Sequence, residues 1–257
     1  MRDIFSGLLV AFGLYSALPL PQVEWKKSTM RYALGFFPLV GVLVGLAEFG
    51  WLYVAKWVGL TGLLYAVGAV AIPMGLTGGI HLDGFTDTCD ALCSYGDREK
   101  RLAILKDPHV GAFGVMWLVV LLLIQVGLFA QLYETPQLAA LLISGYALAR
   151  AFGGNMIVTQ TCAKDSGLAR MFADNADKKR VSYIMAGWIA GCVFWMLQYG
   201  RLFGLVAFVL ILLFFVYYIR KCYNIFGGIT GDLCGMCITL CETLILLTAV
   251  VGGLCMR

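Results

Sequence analysis

Residues 78 to 90 read Gly-Gly-Ile-His-Leu-Asp-Gly-Phe-Thr-Asp-Thr-Cys-Asp, placing Asp83, Asp87 and Asp90 at i, i+4 and i+7. On a helix turning about 100° per residue, the three carboxylates fall within roughly 60° of one another. Like charges on one face repel and weaken the helix unless a cation sits among them. Hard oxygen donors at that spacing suit Mg²⁺, which takes one or two carboxylates and shares its other positions with water and phosphate oxygens. The bland alternative is a solvated helix face. Against it stands position: the cluster abuts a long apolar run, is introduced by Gly78 and Gly79, and contains Gly84. The chemistry these residues could do is metal-assisted work at a membrane surface. His81, two residues before Asp83, could be a ligand, a proton carrier or an orienting hydrogen-bond partner.

The other polar clusters extend this pattern. Asp97-Arg98-Glu99-Lys100-Arg101 is followed by Lys106-Asp107-Pro108-His109-Val110-Gly111-Ala112-Phe113-Gly114. Further on come Lys164-Asp165-Ser166-Gly167, the charged stretch from Asp174 to Arg180, and Gly227-Gly228-Ile229-Thr230-Gly231-Asp232. Carboxylates, cations and glycine-rich turns are what a pyrophosphate site requires: cations offset phosphate charge, and glycines let backbone N–H groups approach. Arg101 and Lys106 read either as phosphate contacts or as loop cations. Arg150 lies inside an apolar run, where an unpaired cation costs a few kcal/mol; it requires a carboxylate or a phosphate. Asp232 reads as the cap of the last helix or as a metal ligand, and Glu242 as a partner for a polar neighbour.

What must position these residues is a set of membrane helices. Hydrophobic residues make up 61% of the chain and charged residues 13%, with a mean hydropathy of +0.85. So little polar surface cannot coat a soluble globule of this size. The apolar runs reach the roughly 20 residues needed to cross a core of about 30 Å, and they do not alternate as barrel strands would. Seven spans are expected, at 33–55, 60–80, 113–132, 137–157, 182–199, 202–219 and 236–255. The chain reads as one all-α polytopic membrane domain over 1–257, with an amphipathic segment at 1–30 and a bundle at 33–255.

Lys and Arg gather at Arg2 to Arg31, Arg98 to Lys106, Lys164 to Arg180, and Arg220-Lys221, with Arg201 and Arg257 as exceptions and Lys56 near the end of the first span. By the positive-inside rule these segments and the N-terminus are cytoplasmic, which puts the polar clusters on one face. The net charge of +4 is then a consequence of topology, and nucleic acid is not expected as a partner. Residues 4–20 resemble a signal peptide superficially, but Asp3 offsets Arg2 and Lys26, Lys27 and Arg31 follow. A shallow amphipathic helix ending at Pro19 and Pro21 fits better. The nine cysteines include Cys234, Cys237 and Cys241 at helical spacing in an apolar stretch, with Cys89 and Cys93 beside the acidic motif. They read as buried small hydrophobes and not as a zinc site or a disulfide framework.

Gly78 to Asp90 resembles the signature of the cobalamin synthase family, the adenosylcobinamide-GDP ribazoletransferases. Nearly the whole chain shares the likeness. It includes Arg31 to Gly45 with Phe37-Pro38-Leu39-Val40-Gly41, Arg101 to Gly114 with Lys106-Asp107 before Gly111 and Gly114, Ala149-Arg150, and Gly227 to Asp232 with Glu242 downstream. Two positions depart from the family pattern: Thr239 stands where many relatives carry an acid, and Ala91 where they carry glycine. The resemblance implies a multi-pass protein of a prokaryotic plasma (inner) membrane with its active site on the cytoplasmic face. It implies the late nucleotide-loop step of cobalamin (vitamin B12) biosynthesis: α-ribazole or its 5′-phosphate joins adenosylcobinamide-GDP, GMP departs, and adenosylcobalamin or its 5′-phosphate forms. It further implies Mg²⁺ held among Asp83, Asp87, Asp90 and Asp232, a catalytic set of Asp83, Asp87, Asp90 and His81, and substrate contacts from Arg101, Lys106, Asp107, Arg150, Thr230 and Glu242. The bilayer is a partner, and a homo-oligomer is compatible with this reading.

Two other enzyme types place Asp-rich helices with Mg²⁺ at membranes. CDP-alcohol phosphotransferases carry Ala-Arg where this chain has Asp87-Thr88. Intramembrane aromatic prenyltransferases carry a second Asp-rich motif that Gly231-Asp232 matches poorly. A transporter would distribute its polar residues along a route, whereas here they collect at one face.

Overall fold

The computed structural model describes residues 2–21 and 23–256; Arg257 lies outside the described residues, as do the side chains of residues 2–4. The described chain is helical: α1 (Arg2–Tyr15), α2 (Lys27–Met30), α3 (Phe37–Val58), α4 (Gly62–Thr77), α5 (Ile80–Cys93), α6 (Arg98–Ile104), α7 (Ala112–Glu134), α8 (Leu141–Thr159), α9 (Leu168–Asn175), α10 (Lys178–Phe226) and α11 (Gly231–Cys255). One isolated β-bridge pairs Cys162 with Ile229 and so ties the loop before α9 to the loop before α11.

Among the described residues, five stretches are long and apolar enough to cross a membrane: Lys27–Val58, Ala112–Glu134, Leu141–Thr159, Lys178–Phe226 and Gly231–Cys255. A sixth arises only if α4 and α5 are joined, and the chain bends by 98° between them. The bend follows from Gly78 and Gly79, whose φ values of 65° and 75° are a left-handed pair that other residues adopt only at a cost. The spanning helix therefore stops at Thr77, and the acidic motif forms a helix of its own at a steep angle to the span. Three aspartates in α5 make it too polar to span by itself.

Of the seven expected runs, the two at 182–199 and 202–219 fall within the single α10. A straight helix of 49 residues would extend about 74 Å, more than twice the hydrocarbon thickness. It is not straight. Arg201 is non-helical (φ 48°, ψ −122°), and a Cβ on Gly204 would lie 2.0 Å from the Met196 carbonyl oxygen. Those two residues would be about 12 Å apart in an unbroken helix, so α10 folds back on itself as two arms.

The centre of the bundle is α8, buried along almost its whole length, with α3, α10 and α11 around it. Without a hydrophobic drive between helices in lipid, close approach at small residues does the work. A Cβ on Gly41 of α3 would lie 2.3 Å from the Tyr146 carbonyl oxygen, and one on Gly45 would lie 2.5 Å from the Ile143 Cα. Helix α1 packs through Val10, Ala11 and Tyr15, all buried.

The bundle also holds charge. Arg150 is fully buried; its Nη1 donates to Glu242 Oε1 at 2.5 Å and to the Tyr146 carbonyl at 3.0 Å, while its Nε has no partner. Glu48 on α3 is also fully buried, and among the described residues neither of its carboxyl oxygens has a partner.

Candidate active site

The first turn of α5 crosses the first turn of α11 at two glycines. A Cβ on Gly84 would lie 2.8 Å from the Asp232 carbonyl oxygen, and one on Gly235 would lie 3.2 Å from the His81 carbonyl oxygen. This contact brings together two motifs that are far apart in sequence. Helix α11 begins at Gly231, ahead of the apolar run at 236. Its cap is Thr230, whose hydroxyl accepts the Leu233 N–H at 3.2 Å. The capping role considered for Asp232 thus belongs to Thr230, and the Asp232 carboxylate turns towards a cavity of about 550 Å³.

Asp83, His81, Lys106, Thr230 and Asp232 line that cavity, together with Lys164, which the sequence reading placed in a polar loop without assigning it a site role. The Lys164 Nζ lies 3.7 Å from Asp232 Oδ2 and donates to the Leu105 carbonyl at 3.0 Å. Burial holds its amine below the usual lysine range, and neighbouring Lys106 adds to that, while Asp232 opposes it. Arg170 of α9 also reaches the lining. Lys164 lies on the loop that the Cys162–Ile229 bridge ties to the loop before α11, and Arg170 on the helix that follows it. That pairing has no signature in the local sequence.

Asp87, one turn beyond Asp83, is half-buried. Its carboxyl is pushed up to about 6, first by burial and then by the charges of Asp83, Asp232 and Asp90, with Lys164 partly offsetting them. Such mutual repulsion is what a cation among these groups would relieve. Among the described residues no group of three His, Cys, Asp or Glu side chains is close enough to form a finished metal cage. That is compatible with Mg²⁺, which keeps several waters and substrate oxygens in its shell. The donor set therefore fits the ion through Asp83 and Asp87, with Asp232 opposite.

Asp90 has a different task. It is buried, and its two oxygens accept the Gly111 N–H at 2.8 Å and the Gly114 N–H at 2.9 Å. A carboxylate from α5 thus caps the N-terminus of α7, where unpaired N–H groups and the helix dipole both favour an anion. The two glycines are needed because a Cβ at either position would meet the Asp90 carboxylate at 2.3–2.4 Å. Gly114→Ala is accordingly expected to cost on the order of 1–3 kcal/mol of stability through lost cap bonds and overpacking. Thermal unfolding in detergent measures this.

Several expected substrate contacts lie elsewhere. Arg150 and Glu242 pair with each other inside the bundle and do not line the large cavity; the partner that Arg150 requires is a carboxylate. Asp107 accepts from the backbone N–H of exposed His109 at 2.9 Å and sits 2.7 Å from its ring Nδ1. Arg101 donates to the Gly96 carbonyl at 3.2 Å. Neither Asp107 nor Arg101 reaches the cavity. His81 does: it is buried beside Tyr15 and Phe37, and burial, with the Arg150 charge second, holds its ring neutral.

Comparison with known proteins agrees with this assembly of motifs. The cobalamin-5-phosphate synthase family matches residues 7–250. An adenosylcobinamide-GDP ribazoletransferase from Lachnoclostridium phytofermentans is 36% identical over 247 residues, covering 96% of this chain and 94% of that protein. Enzymes of the same name from Desulfitobacterium hafniense and Acinetobacter baumannii are 33% identical over 253 residues and 36% identical over 222 residues, covering 94% and 86% of this chain and 95% and 86% of their own lengths. No solved structure matches the chain significantly. A match across nearly the whole length, with the glycine-framed carboxylates meeting at one cavity, places this chain in the cobalamin-5-phosphate synthase family.

Proposed function

We propose that the protein joins α-ribazole, or its 5′-phosphate, to adenosylcobinamide-GDP with release of GMP. The observation that carries this reading is the meeting of Asp83 and Asp232 with Lys106 and Lys164 at one cavity, with Asp87 close enough to feel the charges of Asp83, Asp232 and Lys164, in a chain whose relatives bear that enzyme's name. The ribose 3′-hydroxyl oxygen attacks the phosphorus attached to the corrinoid arm. The bond from that phosphorus to the bridging oxygen breaks, and GMP leaves with the oxygen. Lys106 and Lys164 contact the pyrophosphate, where cationic donors form the stronger hydrogen bonds. Asp232, steered by Lys164, accepts the proton of the attacking hydroxyl. Asp83 and Asp87 would hold Mg²⁺, which supplies charge neutralisation at the pyrophosphate when bound. Asp90 contributes by fixing α5 against α7.

The membrane arrangement proposed with this chemistry has seven crossings, the two arms of α10 counting separately and α4 crossing without α5. The N-terminus and the loops around the cavity face the cytoplasm of a prokaryotic cell. Supporting this are the reversal at Arg201, the 98° bend after Thr77, and the gathering of Lys and Arg on the cavity side.

Removal of the metal tests the reaction class. GMP release by protein in liposomes is expected to stop on adding EDTA and to return with excess Mg²⁺. Turnover that persists in EDTA would remove the metal from the account.

A further inference from the structure

The cavity has two chemically distinct ends. Its charged side chains all lie in the exposed or half-exposed part of the lining: Asp83, Lys106, Lys164, Asp232 and Arg170. Its buried lining is mostly apolar and aromatic, including Tyr15, Phe37, Ile157, Cys234 and Ile238, with His81 and Thr230 as its polar members. The rings form one cluster, with centroids 4.1 Å apart for Tyr15–Phe37, 5.7 Å for Phe37–His81 and 6.4 Å for Tyr15–His81. In the proposed reaction the phosphates belong at the charged end, so a flat group carried by one of the substrates extends to the aromatic end.

Size excludes the corrinoid. A cavity of about 550 Å³ is a drug-sized pocket, far too small for a corrin ring bearing an adenosyl group. Two flat groups remain: the guanine of the donor and the base of the riboside. Guanine carries four hydrogen-bonding groups along its edge, namely O6, N1–H, the exocyclic amine and N7. The buried lining offers strong partners at the His81 ring and the Tyr15 hydroxyl, since the Thr230 hydroxyl already accepts the Leu233 N–H and donates to Asp232. Each edge group buried without a partner costs on the order of 1–3 kcal/mol. A benzimidazole joined to ribose has a single free ring nitrogen and an otherwise apolar outline, which this floor can satisfy.

We infer that the Tyr15–Phe37–His81 floor is the subsite for the base of the riboside acceptor, and that it selects benzimidazole-type bases over purines. Guanosine then lies towards the mouth, beside the corrinoid. This rests on the reading of the reaction given above.

Two measurements separate the subsite from that reading. First, binding of the α-riboside 5′-phosphates of 5,6-dimethylbenzimidazole and of adenine is measured by calorimetry without donor. The benzimidazole compound is expected to bind at least about tenfold more tightly. Second, both are used as acceptors at saturating adenosylcobinamide-GDP, following GMP release. Tyr15→Ala is expected to raise the riboside KM by about tenfold or more, with the donor KM and kcat within about twofold of wild type. Tyr15→Phe should retain most of the affinity. Ile157→Thr, which replaces the ethyl branch by a hydroxyl, should move the preference towards adenine, with Ile157→Val as the control for the lost methyl group.

Equal binding of the two ribosides would overturn the inference. So would a Tyr15→Ala protein whose donor KM rises while its riboside KM does not, since guanine would then occupy the floor. A preserved binding preference without GMP release from any acceptor would support the subsite and sink the reaction assignment.

Discussion

Asp83→Asn protein, folded and saturated with Mg²⁺, is expected to lose on the order of 10²–10³-fold in kcat for GMP release. That is the scale seen when one preorganised electrostatic group at a reacting phosphate or oxyanion is removed. Asparagine keeps the shape and the oxygen but removes the charge. Asp83 is exposed at the cavity wall, so the substitution should leave the fold intact. The relief of repulsion on Asp87, whose carboxyl feels Asp83 directly, should even favour the apo protein slightly. The paired readout is therefore kcat against thermal midpoint without metal: a large fall in the first, with the second unchanged or raised. Wild-type turnover from this variant would remove the carboxylate cluster from the mechanism.

Arg150→Ala is expected to act in the opposite way, on stability before chemistry. It leaves the Glu242 carboxylate buried without its cation, and breaking such a pair from one side costs about 3–5 kcal/mol. Glu48, a second carboxylate whose charge interacts with that of Glu242, adds to the penalty. The variant should unfold at much lower temperature or fail to accumulate. Replacing both partners, as Arg150→Met with Glu242→Leu, should recover much of the loss because neither member of the pair is then left without the other and the Glu242 charge no longer acts on Glu48. An Arg150→Ala protein with unchanged melting and weakened donor affinity would contradict this assignment and return Arg150 to the phosphate.

These two residues also mark where the sequence is legible and where it is not. Asp83, Asp87 and Asp90 are readable as one face because helical periodicity is local, and the structure does place them on one helix. Periodicity cannot show what lies opposite that face. Asp90 meets Gly111 and Gly114, whereas Asp83 meets the cavity, and only the packing of α5 against α7 and α11 separates the two roles. The cost of a lone cation in hydrocarbon announces that Arg150 needs a partner, but not whether that partner is substrate or Glu242. Lys164 and Arg170 were hidden for another reason: the bridge from Cys162 to Ile229 carries them to the site, and a single bridge leaves no pattern. Tyr15 and Phe37 belong to a segment read as amphipathic and to an apolar span, so their shared aromatic floor emerges only in three dimensions. Glu48 was the plain omission, being a carboxylate in the middle of the first span. The apolar runs gave the helices closely. They missed the turn at Gly78-Gly79 as the end of a span because apolar character continues through Ile80 and Leu82.

Riboside transfer at the carboxylate cavity is open to direct assay. The most direct measurement uses purified protein in liposomes with adenosylcobinamide-GDP, α-ribazole 5′-phosphate and Mg²⁺, quantifying GMP and the corrinoid product together, with either substrate omitted as control. The account predicts GMP and adenosylcobalamin 5′-phosphate in equal amounts, and neither when one substrate is left out. GMP released from the donor without riboside, or no corrinoid product from folded protein, would contradict it.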